Sequence, residues 1–504
     1  MLTAACTCVP QAIAQEVPKK TIVEMTEDEQ VNLVREMQRT VDNAIIGAHF
    51  FSEDPLPIHV EVSVDPMTNL VLLNVDERLG PDALTSEFND FAAHLSSALW
   101  GPMERIDGVT GIDFRFGGFD ADHWPINRRP EASERSQRRR RNVDRKPLVV
   151  VSPGHGLYFH HKYKDWRAQR ESANGILEDD ITPVLSGHLL WELQRDNAEV
   201  KTLRYHGDRF SHKPSGESWW RLAARYHLER SDPELRDVWQ SQGKDNSLKE
   251  RNEDIRSRPL FANHMKADAL IHIHTNADTS SEVNGLRTYI HGRPADHELA
   301  SKILCSAREL IRTDDDFKDF SVSSVPHVAS WHAENKLARM PSVIVEVGFH
   351  TNPKDAEFLK KRDFQVLAMR GVAKGYRLYR NKLPCEEFAI NPTEQVEGQI
   401  NRDTQMPFSF KGNPRFPVRV WSTRLDCSGI GCQEHEYELS RQEDIGRLRI
   451  RYMCRSIQSS RVPNDEGAVI ELQVKARESD RVYAKPALYR VACPKKNQSQ
   501  AGRR

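Results

Sequence analysis

Leu148-Val-Val-Val-Ser-Pro-Gly-His-Gly156 is the stretch on which the fold turns. Its apolar, mostly β-branched start suits a strand buried on both faces. The two glycines around His155 let the backbone turn sharply and leave the imidazole accessible. Two later runs have the same character: Ala269-Leu-Ile-His-Ile-His274 and Ser342-Val-Ile-Val-Glu-Val347. Between them, Ile181, Val184, Leu185, Leu189 and Leu193 recur at helical spacing, which predicts a helix over 178–195 with Pro183 inside it. Residues 355–382 are expected to form a closing helix. Strands separated by helices predict an α/β fold: a mostly parallel sheet with flanking helices over residues 147–384.

The flanking sequence differs. Ile58–Val64 and Asn69–Val75 alternate, with the turn residues Asp65-Pro66 between them, and predict a hairpin. Leu84, Phe88, Phe91, Leu95 and Leu99 predict a helix within 82–100, and 111–116 can return as a strand. Residues 21–127 are thus expected to be a small α+β accessory domain for binding or assembly. Residues 128–146 are dominated by arginine and are expected to be a solvated basic linker. Residues 385–504 carry alternating runs at 416–421, 447–453 and 469–474, which predict a mostly β domain with a polar tail.

Composition limits the function classes. A chain of 504 residues suggests two to four domains, and its net charge of -1 gives no case for nucleic acid. No run reaches the roughly 20 apolar residues of a membrane-spanning helix. Residues 1–14, MLTAACTCVPQAIA, end in a small-residue pattern suited to signal cleavage but lack a basic start; residues 1–20 therefore resemble a truncated export signal. Five of the eight cysteines follow residue 380, which predicts disulfides in the C-terminal domain and an oxidising compartment, periplasmic or extracellular.

The candidate chemistry lies at strand ends, where open α/β sheets bind ligands. His272 and His274 share one face of their strand by the two-residue period. Glu346 stands in an otherwise apolar run, where a carboxylate must be paired, protonated or metal-linked; a structural pairing with Arg204 or Arg258 is the alternative to a catalytic role. Glu178-Asp179-Asp180 opens the predicted helix, where acids also serve as dipole partners. Two histidines and a carboxylate at such ends can form an open zinc site, and a second carboxylate nearby can take a proton from water.

Residues 147–360 resemble the zinc-dependent N-acetylmuramoyl-L-alanine amidases called amidase 3. The matching pieces follow in order: Val149–Gly156, Glu178-Asp179, Val200–Arg204, Arg258–Asn263, Ile271–Asn276, Asn284-Gly285, Val345–Phe349 and Thr351–Pro353. The resemblance implies Zn2+ held by His155, Glu178 and His274, with Glu346 as the catalytic acid–base. It implies peptidoglycan as substrate, cut between N-acetylmuramic acid and L-alanine. Asn276, Arg204 and Arg258 are the candidate substrate-binding residues.

Three departures accompany the resemblance. The interval from His155 to Glu178 is long, so Glu171 competes with Glu178. His272 stands where a small residue is usual, and it is a candidate for a supporting role or for replacing His274. Residues 206–255 form a long insertion with Trp219-Trp220, expected to face substrate or gate the site. The flanking domains are candidate docking points for an activator or cell-wall protein. Two other functions fit parts of the sequence: a zinc carboxypeptidase or related amidohydrolase, and a non-catalytic cell-wall binding protein.

Overall fold

A computed structural model describes residues 19–46, 50–51, 57–129, 145–204, 210–241, 246–426, 434–456 and 464–495. The leader-like residues 1–14, most of the basic linker, Cys427, Cys432 and the end of the polar tail lie outside them. The chain divides into two units, Met1–Arg128 with Val328–Trp331, and Arg129–His327 with His332–Arg504.

In the first unit, Thr26 and Glu29 exchange capping hydrogen bonds at the start of helix α1 (Glu27–Ile45). Strands β1 (Val60–Asp65) and β2 (Leu70–Val75) pair antiparallel through the expected hairpin. Thr85 caps α2 (Ser86–Glu104), which buries Phe88, Phe91, Leu95 and Leu99, the spacing visible in the sequence. Strand β3 (Gly111–Phe116) pairs parallel with β2, and Val328 and Ala329 pair parallel with Gly111 and Ile112.

The second unit contains the α/β layer. Strand β4 (Leu148–Pro153) is buried along its whole length. Helix α3 (Glu178–Arg195) leads to β5 (Glu199–Thr202), which pairs parallel with β4. Helices α4 (Ala224–Ser231) and α5 (Lys249–Met265) precede β6 (Ala269–Asn276). Strand β7 (Arg287–Ile290) and helix α6 (Pro294–Ile311) follow. A one-turn helix, α7 (Ala333–Lys336), comes before β8 (Ser342–Phe349). The parallel order is β8-β6-β4-β5, and β7 runs antiparallel to β8.

Leu148, Val150 and Leu270 pack with Leu228, Trp239, Phe261 and Ala262 on one side of this sheet. The buried face of α3 is Thr182, Leu185, Ser186, Leu189 and Leu193, while Val184 is exposed. The expected closing helix is two helices, α8 (Pro353–Lys360) and α9 (Arg362–Arg380). They break at Lys361, whose backbone is extended, and Gln365 Nε2 donates to the freed Leu359 carbonyl at 2.7 Å.

The β-rich region contains strands β9 (Val418–Arg424), β10 (His435–Leu439), β11 (Val469–Arg477) and β12 (Ala487–Ala492), paired in the order β12-β11-β9-β10. Buried charges connect it to α3 and α9. Arg415 reaches Glu192 at 3.0 Å and Asp480 at 3.1 Å, and Arg370 reaches Glu192 at 2.9 Å. Lys374 joins Glu309 and Glu478 at 2.8 and 2.9 Å. Disulfides link Cys305 to Cys385 and Cys454 to Cys493.

Candidate metal centre

The loop after β4 is shaped by what surrounds it. A Cβ on Gly154 would meet the His274 ring at 2.5 Å, and one on Gly156 would meet the Ala223 backbone at 2.7 Å. His155 between them takes φ +53°, the left-handed region that side-chain-bearing residues seldom occupy. Asp179 fixes this turn: one carboxylate oxygen accepts the backbone N–H of Gly156 and of Gln169, both at 2.9 Å.

The three acids that open α3 have separate tasks. Glu178 points into the site, Asp179 latches the loop, and Asp180 pairs with Arg221 at 3.1 Å. Pro183 has no N–H to give the Asp179 carbonyl, its partner four residues back. Arg204 Nη2 supplies that bond at 2.7 Å.

Three donor atoms converge at the ends of β4, α3 and β6. His274 Nδ1 is 3.1 Å from Glu178 Oε1 and 3.2 Å from His155 Nε2, and His155 Nε2 is 3.2 Å from Glu178 Oε1. All three residues are buried, and the group could hold a metal ion. Its electrostatics attract a cation. Burial works against charge on Glu178, yet His155 and His274 hold its carboxyl well below the usual range. Burial also works against a proton on His274, but Glu334, Glu178 and Glu346 together raise the imidazole to about 10. Burial lowers His155, with Glu178 acting in the opposite direction. Two imidazoles and a carboxylate are a donor set that suits a borderline-soft dication such as zinc.

Glu346 lies on β8 directly beside His274 on β6. Its Oε2 is buried without a hydrogen-bond partner. Burial raises its carboxyl to about 8, Glu178 and Glu334 adding to this and His274 and Arg170 opposing it. This is the environment of a carboxylate available for proton transfer, and neither Arg204 nor Arg258 is paired with it among the described contacts.

Arg204 and Arg258 require a correction as substrate-binding candidates. Both are fully buried beneath the site. Arg204 donates to the carbonyls of Leu222, Gly154, Asp179 and Trp220 at 2.6–3.0 Å. Arg258 donates to Ser152 Oγ at 2.9 Å, the His155 carbonyl at 2.8 Å, Asp254 at 2.9 Å and the Pro153 carbonyl. A buried guanidinium must satisfy its donors internally, and these two do so by holding the β4 end in place.

Glu171 is exposed and outside the donor group. His272 is fully buried, also outside the group, with Nδ1 3.4 Å from Glu334 Oε1. Asn276 is partly exposed at the end of β6 and donates to Tyr289 Oη at 3.3 Å. Glu334 is the residue that sequence reasoning missed. Burial opposes its charge, but His274 and His272 hold its carboxyl well below the usual range. The one available signal was His272 itself, since a second imidazole in a buried strand requires a partner.

Residues 149–377 match the family model described as Amidase_3, N-acetylmuramoyl-L-alanine amidase. This segment is an amidase 3 domain. A curated relative of the domain, the germination-specific N-acetylmuramoyl-L-alanine amidase of Bacillus subtilis (strain 168), is 28% identical over 127 residues. The match covers 25% of this chain and 51% of that protein, so the chain spans about half the length of the curated relative it matches. Among solved structures, the catalytic domain of CwlV, an N-acetylmuramoyl-L-alanine amidase from Bacillus (Paenibacillus) polymyxa var. colistinus, shares 18% identity at a TM-score of 0.31, covering 47% of this chain and 98% of that one. The CwlD amidase of Clostridioides difficile, solved in complex with the GerS lipoprotein, shares 18% identity at a TM-score of 0.32, covering 47% of this chain and 100% of that one.

Proposed function

We propose that the protein is a zinc-dependent hydrolase of the amide between N-acetylmuramic acid and L-alanine in peptidoglycan. The observation that carries this reading is Glu346, buried and unpaired, beside the three convergent donors of the amidase 3 domain. His155 Nε2, Glu178 Oε1 and His274 Nδ1 are the proposed ligand atoms, and their spacing and burial support that role. Bound zinc would polarise the scissile carbonyl and make an attacking water more acidic.

Glu346 takes the proton as the water oxygen attacks the lactyl carbonyl carbon. The neutral carboxylic acid then gives that proton to the alanine nitrogen as the C–N bond breaks. A divalent cation bound beside it would favour the carboxylate form of Glu346, the form that accepts the proton.

Peptidoglycan lies outside the cytoplasmic membrane, so this reading places the protein in the periplasm or outside the cell. The disulfides Cys305–Cys385 and Cys454–Cys493 support an oxidising compartment. Among the described residues, no helix is long and apolar enough to cross a membrane. The N-terminal unit and the β-rich region are the proposed contacts for cell-wall polymer or an activating protein.

The test uses full-length protein on isolated peptidoglycan, with zinc, with a chelator, and as Glu346→Gln. Mass spectrometry should find free L-alanine amino termini and peptide-free glycan only with zinc and intact Glu346. Cleavage at a different bond would overturn the substrate assignment, and equal cleavage by Glu346→Gln would overturn the acid–base.

A further inference from the structure

The two histidines present opposite ring nitrogens to the centre, Nε2 for His155 and Nδ1 for His274. The protonation of each inner nitrogen is set by what faces the outer one. Nδ1 of His155 is 3.3 Å from Gln169 Oε1. The orientation of that amide follows from its other end, because Gln169 Nε2 donates to Asp254 Oδ2 at 3.0 Å and an ionised carboxylate only accepts. Asp254 is otherwise an acceptor too, taking the Arg225 backbone N–H at 3.1 Å and Arg258 Nη2 at 2.9 Å. The amide oxygen therefore faces His155, and Nδ1 must carry the hydrogen.

A carboxylate faces the outer nitrogen of His274. Nε2 is buried and has no hydrogen-bond partner among the described residues, and the carboxylate oxygen that faces it, Glu334 Oε1, lies 3.5 Å away. The same oxygen is 3.4 Å from His272 Nδ1 and 3.7 Å from Arg258 Nε. The two outer connections thus meet on one guanidinium: His155 through Gln169 and Asp254, His274 through Glu334. Arg258 is held in turn by the backbone of the β4 end.

We propose that Glu334 and Gln169 are positioning residues for the metal centre. They accept the outer N–H of His274 and His155, leave Nδ1 and Nε2 as inward lone pairs, and share Arg258 as their anchor. The proposal rests on the ligand assignment made above and goes beyond it in saying why two chemically different ring nitrogens face one ion. It also accounts for the buried approach of His272 Nδ1 to Glu334 Oε1 at 3.4 Å.

The test measures metal binding apart from activity. Wild type, Glu334→Gln, Glu334→Ala and Gln169→Ala, each full length, are stripped and titrated with Zn2+ against a chromophoric chelator. They are then loaded with Co2+ for visible spectra, and thermal unfolding of the stripped proteins is followed in parallel. Outer-shell partners command about 10–100-fold in affinity. Glu334→Ala is expected near the upper end, with Glu334→Gln and Gln169→Ala near tenfold, each with an altered Co2+ spectrum. Glu334→Gln keeps the shape and an acceptor, so it separates orientation from a failure to fold. A merely structural role would lower the unfolding midpoint and leave affinity and spectrum unchanged, and that result in both Glu334→Gln and Gln169→Ala overturns the proposal. If wild type takes up neither ion, the ligand assignment falls and the positioning role with it. If wild type takes up zinc but cuts no muramoyl amide, only the substrate reading falls.

Discussion

His274 Nδ1 stands 3.2 Å from His155 Nε2 although the two residues lie 119 positions apart. Glu178 Oε1 faces both nitrogens from the first turn of α3. Each donor is fixed by a different element, so no single loop can rearrange to replace a lost one. His274→Ala and Glu178→Gln are therefore expected to weaken zinc binding by at least about two orders of magnitude, beyond the 10–100-fold that outer partners command. Competition titration of the stripped proteins checks this, and affinity within tenfold of wild type would contradict the three-donor site.

Glu346 is expected to affect turnover without affecting metal content. It lies beside His274 on the next strand but outside the donor group. General acid–base groups contribute about 10²–10⁴-fold, so Glu346→Gln should lose activity on that scale. Its zinc stoichiometry, measured by elemental analysis, should match wild type. Loss of zinc together with activity would make Glu346 a ligand instead.

The parts of the site legible in the sequence are those carried by short-range pattern. The apolar runs at 148–151, 269–273 and 342–347 identify buried strands because no exposed strand tolerates them. His155, His274 and Glu346 are conspicuous by position, at the ends of those runs or inside them. The helix over 178–195 is legible despite Pro183, but the reason that proline is tolerated lies 21 residues away in Arg204, which no local pattern reveals. Glu334 sits in Ala333-Glu-Asn-Lys336, a polar stretch that resembles solvated loop, and its burial depends on contacts with β6 that sequence spacing does not encode. The described residues of the insertion over 206–255 include α4, a one-turn helix at Arg236–Trp239 and the start of α5, and they place Leu228 and Trp239 in the core. Its mixed composition concealed that packing.

Arg415 compensates buried Glu192 and Asp480 and also pairs with Asp196. Burial opposes its charge, but those carboxylates raise the guanidinium above its ordinary range. Removing one partner of a buried pair typically costs about 3–5 kcal/mol because the other charges stay behind. Arg415→Ala is expected to destabilise the second unit on that scale in chemical denaturation. A loss below about 1 kcal/mol would mean that water reaches these carboxylates.

His327 should make the folded protein sensitive to mild acid. Burial, with Arg287 adding to it, lowers its imidazole from 6.5 to about 3. The unfolded chain then binds the proton more tightly than the folded one, so the stability tied to neutral His327 is complete above pH 6.5 and is lost as pH falls toward 3. At about 1.4 kcal/mol per unit, the loss between pH 7 and pH 5 is about 2 kcal/mol. His327→Leu, compared with wild type in chelated buffer, should remove that part of the pH dependence. Parallel stability curves for the two proteins would show that His327 is protonated in the fold.

Cys305 on α6 is joined to Cys385, where the β-rich region begins, across 80 residues of sequence. A cross-link closing so long a loop restricts the unfolded chain, and such bonds typically contribute about 2–4 kcal/mol. Cys305→Ser with Cys385→Ser should lower stability by that amount without altering zinc affinity, because neither residue belongs to the donor group. Reducing the wild type should have at least the same effect, since it also opens Cys454–Cys493. If the double variant unfolds at the same denaturant concentration as wild type, the buried charges between α3, α9 and the β-rich region hold that region in place without the cross-link.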